Sequence, residues 1–243
     1  MIYQGKERIS FYDLDANGDI KLTALLKYIG EAAFYNAEDL GIGLEKTLKT
    51  NLAFIIQRVG VRIFKIPEIK QEIVVRTWPG EITRSAFKRY GEICSEDGDK
   101  LIEWESLWVL IDIDERKIKR PSSFSTQLPC HGKLNVDVVA DKIIPPEEKE
   151  RHAGYSHTVQ FSELDVNWHM NNAIYSDLIA NVLSLNTSSP KINTWKEVKF
   201  NYIHEAKFGD EIVVNAYQSD DRLYITGSLE EKAIFTAEIN YEG

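Results

Sequence analysis

Cysteine is nearly absent. Cys94 and Cys130 are the whole complement of 243 residues, too few for a disulfide framework and without the close partners of a metal site. Both are read as reduced and structural. No apolar run approaches the roughly 18 residues that span a bilayer, and the start, MIYQGKERIS, lacks the charged-then-apolar pattern of a signal peptide. A cytoplasmic protein with no membrane partner is expected. Positive charge is also in deficit, with 29 Lys and Arg against 38 Asp and Glu for a net charge of -9. Nonspecific nucleic-acid affinity comes from clustered Lys and Arg, so no nucleic-acid partner is expected. The deficit is uneven: residues 1–125 carry a net -1 and residues 126–243 a net -8. If the partner is acidic, it should meet the first half.

What is present is ordinary globular material, 43% hydrophobic and 28% charged, enough for one large core or two smaller ones. Its most informative feature is a repeat. Residues 11–20, FYDLDANGDI, align with residues 161–170, FSELDVNWHM, at an offset of 150. The first copy follows a possible strand within residues 1–10 and precedes Leu22, Leu25, Leu26, Ile29, Ala32 and Ala33, whose spacing predicts a helix of about four to five turns. Asp19 and Thr23 suit its start, Gly41 and Gly43 its end. Residues 53–113 then change to a strand-like period in four runs, separated by Pro67, by Pro79 and Gly80, and by residues 96–99, where Asp97 and Gly98 mark a hairpin.

Residues 121–151 read as a polar connector without strong periodicity, with Pro145 and Pro146 and a charge run over 147–151. The plan then repeats: a strand over 157–163, the second motif copy, a helix over about 172–185 stopped by residues 187–190, and four strand-like runs. Glu72 to Val75 and Glu211 to Val214 share the tetrapeptide EIVV at an offset of 139, so the first copy holds 11 more residues, placed between Gly41 and Asn51. This division gives units 1–127 and 152–243 joined by a connector 128–151, each a long helix against an antiparallel sheet, hence an α+β fold.

Asp13, Asp15, Asn17, Gly18 and Ile20 imitate a calcium loop, but Ala24 stands where the twelfth position needs a bidentate Glu, and no helix precedes it. No metal is expected. In the second copy His169 replaces Asp19, so Asp165, Asn167 and His169 alternate and would share one side of an extended segment. Helix capping is the plain alternative for Asp165, and the better one for Asn171 and Asn172.

The run DVNWHMNNAIY, residues 165–175, resembles the D-x-N-x-H-x-N-N-x-x-Y signature of acyl-acyl carrier protein thioesterases, and the resemblance covers most of the chain. It includes Thr77-Trp78-Pro79, residues 106–112 leading to Arg116 and Pro121, and Tyr202-Ile203-His204-Glu205-Ala206. In the last stretch the plant family has Glu followed by Cys. Here Glu205 keeps the Glu and Ala206 replaces the Cys, so a mechanism with that cysteine as nucleophile is unavailable.

The resemblance implies a tandem (double) hot-dog fold and hydrolysis of fatty acyl thioesters of acyl carrier protein without a cofactor. It implies Asp165, Asn167, His169 and Glu205 as the catalytic group. Asp165 would act as base on water or attack directly, Asn167 and His169 would orient it, and Glu205 would be a second carboxylate on the water. Backbone N–H groups around Asn171 and Asn172 would polarise the carbonyl. The first unit, lacking the His, would hold the acyl chain. Arg116, Lys117, Lys119 and Arg120, or Arg84, Lys88 and Arg89, would dock the acidic carrier. A homodimer is left open. The alternatives are a coenzyme A thioesterase, a hot-dog dehydratase and a non-catalytic acyl-thioester-binding module.

Overall fold

A computed structural model describes residues 1–145, 150–185, 191–219 and 222–241. Pro146, the rest of the charge run through 149, and the 187–190 helix stop lie outside the described residues. Two compact units form: Met1–Ser10 with Lys27–Ala140, and Phe11–Leu26 with Asp141–Gly243. This differs from the 1–127, 128–151 and 152–243 division. The first motif copy packs in the second unit, and the first unit continues through Ala140.

The strands of the first half are β1 (Tyr3–Arg8), β2 (Leu52–Ile63), β3 (Glu72–Ile82), β4 (Phe87–Ser95) and β5 (Lys100–Asp112). They pair antiparallel in the spatial order β1-β3-β4-β5-β2, and the short β6 (Lys117–Lys119) adds to β5. The second half supplies β7 (Glu150–Thr158), β8 (Trp195–Tyr202), β9 (Glu211–Ser219), β10 (Arg222–Leu229) and β11 (Lys232–Tyr241). These pair antiparallel in the order β7-β9-β10-β11-β8, the same permutation. The repeat in the sequence is thus a repeat in topology. The Asp97–Gly98 turn forms as expected, with Gly98 at φ 93° and its N–H on the carbonyl of Ser95. Pro79 and Gly80 do not separate strands. β3 runs through them, past the end of β1 at Thr77, where a missing N–H is tolerated.

Helix α1 (Leu22–Asp39) buries all six residues of the expected apolar stripe. It ends where glycine was expected to stop it. Gly41, at φ 68°, donates to the carbonyl of Glu38, and Ile42 donates to that of Ala37, which satisfies two of the last open carbonyls. The 11-residue insertion holds the short α2 (Leu44–Thr50). Thr23 does not cap α1. Its hydroxyl, buried, bonds Ser176 at 2.8 Å and Asp177, which ties residues 11–26 into the second unit. Helix α3 (Tyr175–Ser184) starts three residues later than its spacing suggested, because residues 172–174 form a turn under the Asn171 side chain. Among the described residues, no helix is long and apolar enough to cross a membrane.

The connector is more ordered than its composition suggested. Val136, Val138 and Ala140 alternate with exposed neighbours and are buried; Val136 and Val138 cluster with Trp78 and Tyr90. Two buried carboxylates of β5 hold this strap. Glu103 Oε1 accepts the N–H groups of Asp137 (3.0 Å) and Val138 (3.1 Å), and Glu105 Oε1 accepts that of Ala140 (3.2 Å). Lys100 and Arg62 pair with Glu103, and Lys88 with Glu105. The strap crosses β2 so closely that a Cβ on Gly60 would lie 2.8 Å from the carbonyl oxygen of Val139. The same arrangement breaks up one expected docking cluster. Lys88 is occupied by Glu105, and Arg89 is buried, donating to Asn36 of α1 at 2.7 Å. Burial pushes the Arg89 guanidinium down to about 10.

Removing Glu103 takes the side-chain acceptor from the buried Val138 N–H and the part-buried Asp137 N–H, and one carboxylate from Lys100 and Arg62. Glu103→Ala is expected to cost about 3 kcal/mol of stability, and Glu103→Gln, which keeps one acceptor oxygen, about half of that. Urea unfolding measures both; a loss below about 0.5 kcal/mol for the alanine variant would show that the strap is not held this way. A second expectation concerns Glu81, which accepts the Tyr90 hydroxyl at 2.6 Å and is thereby held below its ordinary value of 4.5. A depressed folded-state value stabilises above the unfolded one, and the gain is lost as pH falls through the folded value. The stability gap between wild type and Glu81→Gln should therefore be present at neutral pH and close below about 4.5. A gap that persists in acid rules out this linkage.

Candidate active site

The second motif copy is a closed turn, not an extended segment. The isolated bridge between Leu164 and Met170 pinches its base, and Asp165 N–H donates to the His169 carbonyl at 2.8 Å. The Asp165 carboxylate fills the ring so formed. Oδ1 accepts the N–H groups of Asn167 (2.8 Å) and His169 (3.4 Å), and Oδ2 accepts the Asn167 amide at 3.5 Å. The first copy is built the same way: Asp15 accepts from Asn17 N–H (2.7 Å), Asp19 N–H (3.1 Å) and the Asn17 amide (3.2 Å), over a Leu14–Ile20 bridge. Alternation along a strand is therefore not what gathers Asp165, Asn167 and His169. The carboxylate itself folds the chain around it, as Asp commonly does in turns.

The fourth member comes from the segment after β8. Ala206, fully buried, accepts the Met170 N–H at 2.8 Å, and its own N–H meets the Tyr175 hydroxyl. These bonds fix the neighbouring Glu205, whose Oε2 lies 3.0 Å from His169 Nε2. His169 is 17% exposed and Glu205 39%, so the pair is reachable from solvent at the rim of the turn. Tyr175 packs edge-on to Tyr202 and Phe235. Burial raises both the Tyr175 and Tyr202 hydroxyls well above the ordinary tyrosine range, so they stay protonated and act as supports. Asp165 and Asn167 are thus brought together, and His169 and Glu205 are brought together. The backbone N–H of His169 joins the two groups.

Asn171 caps the turn before α3, its side chain accepting the Ala173 N–H at 2.9 Å. Its own N–H goes to the Glu163 carbonyl at 2.9 Å and is not available to a substrate, as had been expected of it. The exposed Asn172 N–H has no acceptor among the described residues, and its carbonyl takes the Tyr202 hydroxyl at 3.1 Å. A second pair, His157 Nε2 with Glu163 Oε2 at 2.9 Å, supports the same turn from β7, since Glu163 also accepts the Gln160 N–H. Sequence reasoning missed it. The signal was available: His157 stands 150 residues after Glu7, so the second copy replaces an acid by His there as it does at 169.

The first copy lacks this pair. Asp19 occupies the place of His169, its carboxyl raised by burial and then by Asp15. At the offset of 139, Ile66 stands where Glu205 does. The backbone bonds confirm that register, with Ile9 N–H on Gln71 and Lys70 N–H on Ile9 matching Val159 N–H on Asp210 and Gly209 N–H on Val159. One difference runs against backbone preference. Gly18, at φ 83°, is replaced by Trp168 at φ 64°. A side chain in that left-handed region costs about 1–2 kcal/mol.

The sequence pattern of the acyl-ACP thioesterase N-terminal domain matches residues 1–123, and that of the C-terminal domain matches residues 146–242. A chloroplastic acyl-[acyl-carrier-protein] hydrolase of Cuphea viscosissima is 22% identical over 187 residues, 72% of this chain and 45% of its own length. A dodecanoyl-[acyl-carrier-protein] hydrolase of Cinnamomum camphora is 23% identical over 192 residues, 74% of this chain and 50% of its own. The chain spans about half the length of these curated relatives. Among solved structures, an acyl-ACP thioesterase from Bacteroides thetaiotaomicron aligns over 99% of this chain and 98% of its own, with a TM-score of 0.78 at 19% identity. The 12:0-ACP thioesterase of Umbellularia californica aligns over 99% and 97%, with a TM-score of 0.80 at 17% identity. The expected fold, α+β with two hot-dog units in tandem, is the fold observed. With its two domain patterns covering nearly the whole chain in order, the protein belongs to the acyl-ACP thioesterase family.

Proposed function

We propose that this protein hydrolyses fatty acyl thioesters of acyl carrier protein to free fatty acid and carrier protein. The observation that carries the reading is the 3.0 Å His169–Glu205 pair on the turn that Asp165 closes. The reaction needs a base for water, a donor for the carbonyl oxygen and a proton for the leaving sulfur. Asp165 Oδ2 has only the long 3.5 Å bond from Asn167 among the described residues, so it is the oxygen left to take a proton from water. The water attacks the thioester carbon, the Asn172 N–H receives the developing oxyanion, and the C–S bond breaks as sulfur takes a proton from His169. Glu205 holds the ring and offsets its charge. The acyl chain is proposed to lie between helix and sheet of the first unit, the one that lacks the His.

Thiol release from an acyl carrier protein substrate is the test. Glu205→Gln and His169→Ala are expected to lose about 10²- to 10⁴-fold in kcat, the usual contribution of acid–base groups. Stoichiometric binding without free thiol would make the protein an acyl-binding module instead. Faster turnover of the same acyl group on coenzyme A would move it to that substrate class.

The twin turns separate structure from chemistry. Asp15→Ala and Asp165→Ala remove the same three bonds and should each lower stability by about 1–3 kcal/mol. Only Asp165→Ala should abolish hydrolysis. A folded Asp165→Ala variant with full activity removes Asp165 from the reaction.

A further inference from the structure

Beside the catalytic pair lies an exposed apolar patch in the second unit. Phe161 is 66% exposed, Val166 91%, Trp168 68% and Phe208 63%. Phe161 stands edge-on to Trp168 at 6.0 Å and to Phe208 at 6.5 Å, so the rings form one cluster. Trp168 sits in the left-handed backbone region where the first copy has Gly18, and its exposure means that burial in this chain does not offset the strain. Strained, exposed residues concentrate where function uses them. The first copy keeps exposed bulk at two of the four corresponding positions, Phe11 and Ile69, but has Ala16 and Gly18 where the second has Val166 and Trp168, so what the second copy adds is the bulk on the turn itself.

We infer that this patch is a docking surface for the folded body of acyl carrier protein, an inference that rests on the function proposed above. Trp168 lies between Asn167 and His169 in the chain, and Phe208 follows Glu205 by three residues, so the patch is borne by the same two segments that supply the site the carrier must approach. An alkyl chain is bound by enclosure, and projecting rings on the rim of a turn do not enclose one. A protein surface does cover such rings, and Trp at the centre of a patch commonly dominates binding. Lys207, exposed beside Phe208, is a basic group at this rim, but the rings carry the contact, and they bring the acidic carrier to the second unit rather than to the first half that the charge distribution favoured.

The test compares one acyl group on acyl carrier protein and on pantetheine alone, for wild type, Trp168→Gly and, as a variant away from the strained position, Phe208→Ser. Trp168→Gly installs the residue of the first copy and should fold with an unchanged or raised Tm. Both variants should lose about tenfold more kcat/KM on the carrier substrate than on the pantetheine substrate, through KM. Equal losses on the two substrates, or none, overturn the docking surface and leave the proposed hydrolysis intact. A concentration-dependent wild-type dimer that Trp168→Gly abolishes also overturns it, by giving the patch to a second copy. Absence of thiol release by wild type on both substrates instead defeats the hydrolase reading.

Discussion

The site depends on one interaction, an aspartate carboxylate accepting the N–H groups two and four residues after it. Asp15 and Asp165 each make it, and each closes a turn of the same shape. Two backbone donors that lack ladder partners are satisfied by a side chain of the turn itself, so the turn holds its form without a neighbouring strand. Everything functional is referred to that ring. It sets where residue 169 leaves the turn, and the Met170–Ala206 bond then sets where Glu205 meets it. A loose turn would place His169 and Glu205 by chance, whereas the proton transfer proposed for them needs hydrogen-bond reach.

A similar device works at larger scale in the first unit. Glu103 and Glu105 carry charge into the interior of a sheet, which is costly unless each oxygen finds donors. The strap supplies backbone N–H groups, and Lys100, Arg62 and Lys88 supply charge. The strap cannot be replaced by any polar segment, because Val136 and Val138 must also cover Trp78 and Tyr90. Buried charge and apolar cover thus specify a single path for residues that the composition alone leaves as a linker.

The sequence made the strands, the α1 stripe and the tandem arrangement legible because their signals are periodic and local: Leu25, Ile29 and Ala32 keep one helical face, and both copies repeat strand, helix and four strands. The strap was harder to see. Val136, Val138 and Ala140 do alternate, but Val139 breaks the pattern for a reader, and the partners that order the segment lie more than 30 residues away in β5. The candidate site was legible as residue types. Its geometry was not, since the ring made by Asp165 is a matter of backbone bonds, and the His157–Glu163 support needs β7 and the short helix to be brought together first. Arg89 was misread as surface because charge usually means exposure, and only the fold shows it donating to Asn36 under α1.

The two copies share one topology and one turn, and differ at the residues proposed for the reaction. Asp19 and Ile66 in one correspond in sequence to His169 and Glu205 in the other, where the two side chains form a mutually oriented pair. Glu7 and His157 follow the same direction of change. The Gly18 to Trp168 difference goes the other way in stability, since the turn geometry is kept while the one residue suited to it is given up. A copy that served only to hold its turn would gain from glycine there. That the strained residue stands in the copy carrying the His169–Glu205 pair, exposed and edge-on to Phe161, argues that its ring serves an encounter with something outside the fold.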